Sequence, residues 1–361
     1  MSRVTPAFWS GRRVLLTGHT GFKGGWLATW LLELGARVTG YALPPATTPA
    51  LFDLAGLAAK LDSRLGDVRD AGPVAEAVAA ARPSVVFHLA AQPIVSRSYR
   101  EPAATVTTNV TGTVNVLEAV RQSPGVEAVV VITSDKCYEP LAAPRGLHED
   151  DRLGGADPYS ASKAAAELVV KAYRQSFFAS GRPAVATARA GKVIGGGDWA
   201  EDRIVPDAVR AFSCGQPLRV RRPAAVRPWQ HVLEPLAGYL ALAERLAGPQ
   251  GAAWAEAWNF GPRDADAVPV ATLVALLAAQ WDGARTEAAV TPGELETEVL
   301  RLDWSKARDR LGWRPVLGLE EGVALTAAWY RTAAARPADA YELTAAQVRS
   351  YERRRHDGAD A

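Results

Sequence analysis

Short apolar runs alternate with segments of helical apolar spacing through the first 190 positions of the chain. Short runs rich in β-branched residues are typical of strands that are buried on both faces of a sheet. They predict strands at residues 13–17, 37–42, 84–88, 128–133 and 184–189. The segments between them predict helices at residues 26–32, 74–82, 105–122 and 158–178. Alternating strands and helices indicate a doubly wound parallel α/β sheet.

The pattern changes after residue 190, where glycine and proline become frequent and the elements become short. We therefore predict one sheet domain at residues 1–190, to which some later segments return. Residues 191–340 are predicted to form mainly a smaller, mixed α/β region whose loops contact a ligand. The charged residues 341–361 are expected to form a C-terminal tail, a frayed helix on the surface.

Composition excludes several classes of protein. The 41 Lys and Arg nearly cancel the 39 Asp and Glu, so that no basic field predicts nucleic-acid binding. Two cysteines, Cys137 and Cys214, are too few for a disulfide framework or a zinc site. The chain has no apolar run of about 18 residues to span a membrane, and residues 1–9 lack the apolar core of a signal peptide. We expect a soluble, cytoplasmic protein.

A glycine-rich turn follows the first predicted strand. Gly18, Gly21 and Gly24 have the spacing G-x-x-G-x-x-G and lead into a helix. Glycine allows the backbone to approach a diphosphate closely, and the helix N-terminus supplies free N–H groups. The turn therefore predicts a dinucleotide-binding, Rossmann-like domain rather than a turn without a ligand.

The end of the second strand leaves the choice between NAD and NADP open. Residues 41–44 include neither an acid to hold the adenosine ribose nor an arginine to hold a 2′-phosphate. A neutral pocket slightly disfavours the doubly charged 2′-phosphate, so NAD is the expected cofactor. Asp67 and Val68, after the third strand, are candidates for contact with the adenine.

Tyr159 and Lys163 lie four residues apart, on one face of a predicted helix. An ammonium at that distance is expected to lower the pKa of the tyrosine and so to favour its action as a base. This spacing is common on ordinary helices. Together with the dinucleotide turn, however, it predicts a site of proton and hydride transfer.

Polar side chains also follow the strand at residues 128–133. Ser134, Asp135 and Lys136 come at its carboxyl end, where ligands bind in open α/β sheets. A hydroxyl, a carboxylate and an ammonium together favour more than one proton transfer. The alternative is an Asp135–Lys136 ion pair that only caps the loop.

Several cations follow in the second half of the chain. Arg221 and Arg227 flank Pro223 and are candidates to clamp a diphosphate, because guanidinium groups bind phosphate oxygens bidentately. The histidines show no metal-ligand spacing, and we expect no metal site. The other cations that we considered are Lys192, Arg203, Arg219 and Arg222.

These motifs together resemble the extended short-chain dehydrogenase/reductase family of nucleotide-sugar enzymes, also described as the NAD-dependent epimerases and dehydratases. Within that family, the longer strings are most similar to the CDP-glucose 4,6-dehydratases. The segments that carry the resemblance occur in order at residues 17–24, 87–93, 132–138, 194–199, 227–235 and 258–262.

The resemblance implies a set of ligand-binding residues. The cofactor is implied to be NAD, bound by Gly18, His19, Thr20, Gly21, Phe22, Lys23, Gly24, Asp67, Val68, Leu89, Ala90, Ala91, Asn109, Tyr159 and Lys163. The substrate is implied to be a nucleotide sugar, CDP-glucose, bound by Gln92, Lys192, Asp198, Trp199, Arg203, Arg221 and Arg227.

The resemblance also implies a reaction, with Ser134, Asp135, Lys136, Tyr159 and Lys163 as the catalytic residues. Tyr159 takes the C4 hydroxyl proton while hydride passes to NAD, and Ser134 holds that hydroxyl. Lys136 is the implied base for C5, and Asp135 the acid for the C6 hydroxyl, which leaves as water. Hydride then returns to C6. A homodimer, formed through the helices at 104–122 and 158–178, or a tetramer of such dimers, is implied as well.

Other interpretations stay open at this stage. An epimerase, a reductase or a dehydratase of another nucleotide sugar shares the turn and the Tyr159–Lys163 pair. A non-catalytic NAD-binding scaffold shares the fold. The family string Arg-Ala-Gly-Asn-Val has Lys192 in place of its asparagine, which leaves the substrate less certain than the reaction.

Overall fold

The computed structural model describes residues 4–140, 145–179, 182–289 and 299–357. Its strands are β1 (Arg13–Thr17), β2 (Arg37–Ala42), β3 (Asp62–Leu65), β4 (Val85–His88), β5 (Ala128–Ile132), β6 (Ala184–Ala190), β7 (Val193–Ile194), β8 (Leu218–Val220), β9 (Val226–Pro228), β10 (Gln230–His231), β11 (Ala257–Phe260), β12 (Ala267–Pro269) and β13 (Thr286–Ala288).

The α-helices of the same residues lie on both faces of the sheet and around its carboxyl edge. They are α1 (Pro6–Trp9), α2 (Phe22–Glu33), α3 (Leu51–Leu54), α4 (Ala71–Ala81), α5 (Val95–Arg100), α6 (Pro102–Val106), α7 (Gly112–Arg121), α8 (Pro158–Ser176), α9 (Ile204–Ser213), α10 (Leu233–Ala247), α11 (Val270–Ala278), α12 (Leu319–Ala335) and α13 (Ala340–Asp357).

A central sheet of seven parallel strands, in the order β11-β6-β5-β4-β1-β2-β3, organises the described part of the chain. Strands β4, β5 and β6 are buried along their whole length, because helices cover both faces. The doubly wound parallel sheet predicted from the apolar runs is confirmed. The strands at 13–17 and 37–42 have the predicted bounds.

The order of the strands reverses between β1 and β4, and a crevice opens there at the carboxyl ends. Thr17 and His88 end the two strands side by side, with Oγ1 and Nδ1 2.7 Å apart. The loops after β1, β4 and β5 therefore meet at one edge. The candidate chemistry lies on these loops.

The later part of the chain forms short paired strands, β7 with β10, β8 with β13 and β9 with β12. Strand β11 instead extends the central sheet beside β6. Among the described residues, no helix is long and apolar enough to cross a bilayer.

Two expectations differ from the structure. The helix predicted at 105–122 is interrupted by a π-helical turn, Thr107–Thr111, between α6 and α7. The predicted frayed tail is wrong for residues 341–357, because α13 packs against α2 and α12. The buried Tyr351 hydroxyl donates to Glu234 over 2.6 Å, and the Trp30 indole donates to Glu352 over 2.8 Å. Residues 358–361 of the predicted tail lie outside the described residues.

Candidate active site

A cavity of about 1040 Å³ opens at the carboxyl edge of the sheet, between the loops after β1, β4 and β5 and the segment from residue 190 to 229. Ligand pockets commonly measure roughly 300–1,000 Å³, so this cavity lies at the upper end of that range. Among its lining residues, cations outnumber carboxylates. This charge balance suits anionic ligands such as diphosphates.

The cavity brings together nearly all the candidate residues from the sequence. Those that line it are Gly18, Thr20, Gly21, Phe22, Lys23, Gly24, Asp67, Val68, Leu89, Ala90, Ala91, Gln92, Ser134, Asp135, Lys136, Tyr159, Lys163, Lys192, Asp198, Trp199, Arg203, Arg221 and Arg227.

The glycine turn forms one wall of the cavity. Gly18 has a φ of +79°, and a Cβ there would lie 2.7 Å from the Ala90 backbone nitrogen, so only glycine fits. Helix α2 follows, with no side-chain cap and no acidic residue in its first turn. Its N-terminal N–H groups and positive dipole end therefore suit a diphosphate.

His19 and Asn109 do not line the cavity. The His19 ring is buried behind the turn with Nε2 2.8 Å from Ser63 Oγ, and burial lowers its pKa to about 4. Asn109 accepts from the Gln92 backbone N–H over 2.8 Å and donates to Ser162 Oγ over 2.8 Å. Both residues shape the site from behind the turn and the β4 loop.

The far end of the cavity lies beside β2 and β3. Asp67 lines it and binds the Arg69 guanidinium, whose Nε donates over 2.8 Å. This hydrogen bond holds the pKa of Asp67 below its ordinary value. The Tyr41 hydroxyl donates to the Asp67 carbonyl over 3.1 Å. Arg69, which also lines the cavity, was missed in the sequence because nothing local distinguishes it from a surface arginine.

Helix α8 presents Tyr159 and Lys163 to the cavity. Asp157 caps the helix by accepting from the Ser160 N–H over 2.8 Å, and Pro158 begins it, as predicted. Burial raises the pKa of Tyr159 to about 12, although its hydrogen bond with Ser134 acts in the opposite direction. Lys163 Nζ donates to the Ile132 carbonyl over 3.3 Å, and burial lowers its pKa to about 8.

The expected lowering of the Tyr159 pKa by Lys163 is therefore not found. The tyrosine is a neutral phenol near pH 7, because the cost of burying a phenolate outweighs the favourable contacts. A tyrosine base in this site needs a further cation beside it when it accepts a proton.

Ser134, Asp135 and Lys136 form a tight turn after β5. The Ser134 hydroxyl donates to Asp135 Oδ1 over 3.0 Å and accepts from the Lys136 backbone N–H over 3.2 Å. The Lys136 ammonium lies 3.9 Å from Asp157 Oδ2. A hydroxyl, a carboxylate and an ammonium thus lie next to Tyr159, in an arrangement that can serve several proton transfers.

The opposite wall carries the predicted cations. Arg203 Nη1 donates to Asp198 over 2.8 Å, and Arg221 pairs with Asp202 at 3.4 Å. Arg210 of α9 also lines this wall and donates to the Trp199 carbonyl over 3.0 Å. Sequence reasoning missed Arg210, which has ordinary helical spacing from Asp207 and no motif around it.

The model of the family described as GDP-mannose 4,6 dehydratase matches residues 15–326. The chain belongs to this dehydratase family. The match spans the sheet, the turn and the cavity, and the resemblance to the nucleotide-sugar dehydratases is confirmed.

Individual members of the dehydratase family agree with this assignment. The chain is 47% identical to the CDP-glucose 4,6-dehydratase of Salmonella typhimurium, over 91% of this chain and 93% of that protein. It is 30% identical to a dTDP-glucose 4,6-dehydratase of Xanthomonas campestris, over 88% and 93%. The crystal structure of DesIV, a dTDP-glucose 4,6-dehydratase from Streptomyces venezuelae with NAD and TYD bound, superposes with a TM-score of 0.73 at 26% identity, over 89% of this chain and 97% of that one.

Proposed function

We propose that this protein is a CDP-glucose 4,6-dehydratase, which converts CDP-glucose into CDP-4-keto-6-deoxyglucose and water. One observation carries the proposal: Asp135 and Lys136 lie at the same carboxyl edge as Ser134 and Tyr159. Elimination of water needs an acid and a base beyond the group that oxidises a hydroxyl, whereas a 4-epimerase does not. The 47% identity to the Salmonella CDP-glucose enzyme supports the choice of nucleotide.

NAD fits the turn side of the cavity, where the close approach at Gly18 and the uncapped N-terminus of α2 favour a diphosphate. When bound, NAD supplies a hydride acceptor that is regenerated in each catalytic cycle. We propose that residues 18–24 bind its diphosphate, with Asp67 and Val68 at the adenosine end and Leu89 to Ala91 along the β4 loop. His19 and Asn109 support this surface from behind.

Oxidation at C4 begins with Tyr159. Its phenolate takes the proton of the C4 hydroxyl, which the Ser134 hydroxyl holds by a hydrogen bond. Burial is the largest of the causes that together raise the pKa of Tyr159 to about 12. We therefore propose that the positive charges of Lys163 and of the bound nicotinamide stabilise the phenolate. The step leaves a ketone at C4.

Elimination then follows, since the C4 ketone acidifies the C5 proton. Lys136, as the neutral amine, takes that proton, and Asp135, as the carboxylic acid, gives its proton to the C6 hydroxyl. The C6–O bond breaks and water leaves, so that a double bond forms between C5 and C6. The hydride removed from C4 then returns to C6, and C5 takes back a proton, which gives the 4-keto-6-deoxy product. Asp135 Oδ1 already accepts a hydrogen bond from the Ser134 hydroxyl.

The nucleotide diphosphate is proposed to bind on the opposite wall. Arg221, Arg227 and Lys192 supply positive charge there, and Arg203 is held in position by Asp198. Gln92 and Trp199 complete the proposed substrate contacts. Guanidinium groups suit this task, since they bind phosphate oxygens bidentately.

We further propose a homodimer, or a tetramer of such dimers, that works in the cytoplasm. Exposed large apolar side chains support an interface on α5, α6 and α8, at Tyr99, Val106 and Leu168. Cys137 and Cys214 are both free, as is usual in a reducing compartment. Light scattering behind a sizing column tests the oligomer, and a monomer at micromolar concentration would contradict it.

The purified protein should be incubated with CDP-glucose and, in parallel, with dTDP-glucose, UDP-glucose and GDP-mannose, with and without added NAD. We expect a product that has lost one water by mass spectrometry and that absorbs in alkali as a 4-keto sugar, formed fastest from CDP-glucose. Tyr159→Phe should form none and still bind NAD. A panel in which no substrate loses water would overturn the assignment.

A further inference from the structure

Two buried polar atoms beneath the reaction centre have no hydrogen-bond partner among the described residues. One is the Tyr239 hydroxyl, on helix α10, and the other is Asp135 Oδ2. Tyr239 is fully buried and Asp135 is 4% exposed. Such groups are rare in folded proteins, because an unpaired buried polar atom loses its hydration without compensation.

The fold brings the helix of Tyr239 against the strand that precedes Asp135. Helix α10 packs across β5, and Asp135 lies three residues beyond the end of that strand. The electrostatic neighbours of the Tyr239 hydroxyl are Asp135 and Tyr159. The backbone closes another side of the carboxylate, since a Cβ on Gly191 would come 3.2 Å from Asp135 Oδ2.

The other titratable groups around Asp135 are placed for other roles. Tyr159 on α8 and Lys23 on α2 line the cavity and face its ligands, and Cys137 is buried within the same turn. Burial raises the pKa of Tyr239, so that it keeps its proton throughout the working pH range. It is therefore a hydrogen-bond donor without an acceptor, and Asp135 Oδ2 is an acceptor without a donor among the described residues.

We infer that Tyr239 is a positioning residue for Asp135, to whose carboxylate its hydroxyl is linked through one bridging water molecule. The link orients Asp135 towards the leaving group and stabilises the carboxylate that remains after its proton has gone to the C6 oxygen. Tyr239 touches neither substrate nor cofactor. The inference rests on the proposed elimination of water, in which Asp135 is the acid.

Tyr239→Phe removes the hydroxyl and keeps the ring and its packing on Phe260. Tyr173→Phe, on the far part of α8, is the matched control, because it loses a hydroxyl bonded to Glu118 outside the cavity. Each variant is assayed with CDP-glucose for kcat against pH and for the absorbance of reduced nicotinamide at steady state. Thermal unfolding is followed for both variants, and also in an Asp135→Ala background, which removes the acceptor.

We expect Tyr239→Phe to slow elimination but not oxidation at C4, so that reduced nicotinamide accumulates. The limb of the kcat profile that reports Asp135 should move up by about one pH unit, since a hydrogen bond from a neutral donor favours the carboxylate. The melting temperature at pH 7 should fall by about 2–4 °C. In the Asp135→Ala background, this fall should disappear.

An equal or higher melting temperature in Tyr239→Phe, with an unchanged pH profile, would overturn the inference, because it would show an unpaired hydroxyl with no role. A fall of the same size in the Asp135→Ala background would also overturn it. The unfolding measurements need no substrate. They therefore test the link between Tyr239 and Asp135 even if the wild-type protein fails to dehydrate CDP-glucose. That failure would refute only the proposed function.

Discussion

Arg189 and Glu167 form an ion pair under the floor of the cavity, with Arg189 Nη2 2.7 Å and Nε 2.9 Å from the two carboxylate oxygens. Both side chains are almost fully buried, at 3% and 2% exposure. Glu167 lies one turn after Lys163 on α8, and it also accepts hydrogen bonds from Thr133, directly after β5, and from Thr187, in the middle of β6. Glu167 therefore fastens the helix of Tyr159 to β6 through Arg189, and to the end of β5, just before Asp135, through Thr133.

Breaking this pair on one side should be costly. We expect Arg189→Met to lower the free energy of unfolding by about 3–5 kcal/mol, because it leaves the Glu167 carboxylate buried without its cation. Adding Glu167→Leu should recover part of the loss. Urea unfolding measures the free energy of unfolding of the single and the double variant. Arg97→Met, which breaks an exposed pair with Glu101, is the control and should cost less than about 1 kcal/mol.

The structural role of the pair would be contradicted if Arg189→Met lowered the free energy of unfolding by no more than Arg97→Met does. The same would follow if the double variant were much less stable than the single one, since two apolar side chains leave no charge uncompensated.

We expect the buried charge of Lys23 to lower the free energy of unfolding while it strengthens the binding of NAD. Burial, helped by Arg203, lowers its pKa from 10.5 to about 8. The folded pKa lies below the unfolded value, so stability is lost as the pH falls from about 10.5 to about 8. Lys23→Met should therefore be more stable than the wild type at pH 7 by about 1–3 kcal/mol, and the difference should shrink towards pH 10.5. Its affinity for NAD should fall.

Denaturant unfolding at several pH values, with calorimetric titration of NAD, measures both effects. Lys171→Met is the control, because Lys171 is an exposed lysine on α8. The prediction fails if Lys23→Met differs from the wild type by the same amount at pH 7 and pH 10.5, or if NAD binds equally well.

Lys136 has the assigned role of base at C5. Its ammonium lies 3.9 Å from Asp157 Oδ2. We expect Lys136→Gln to oxidise C4 but to lose exchange of the C5 hydrogen with deuterated water by at least about 100-fold, the usual contribution of a general base. Mass spectrometry of recovered substrate measures the exchange. Undiminished washout would remove Lys136 from this role.

Lys192 replaces the asparagine of the family string and lines the wall proposed for the diphosphate. Lys192→Asn removes one positive charge from that wall. We expect KM for CDP-glucose to rise several-fold and to depend less on salt, while kcat stays nearly unchanged. Lys171→Asn is the matched loss of charge, because Lys171 is an exposed lysine on α8 that does not line the cavity. A fall in kcat with constant KM would show that Lys192 acts on the reaction itself.

The sequence by itself determined the parallel sheet, the dinucleotide turn and the residues gathered in the cavity. These features follow from local patterns: apolar runs make buried strands, glycine spacing makes the turn, and a four-residue step puts Tyr159 and Lys163 on one helix face. Because parallel strands end at a common edge, loops that are distant in the chain were predictable neighbours.

Only the tertiary structure decided which side chains meet behind that edge. It turned His19 away from the cavity towards Ser63, docked α13 on α2, and paired Glu167 with Arg189. It also brought the helix of Tyr239, about a hundred positions further along the chain, against the strand that precedes Asp135. No local pattern encodes such contacts, since they depend on how helices pack across the sheet and on which buried groups then need a partner.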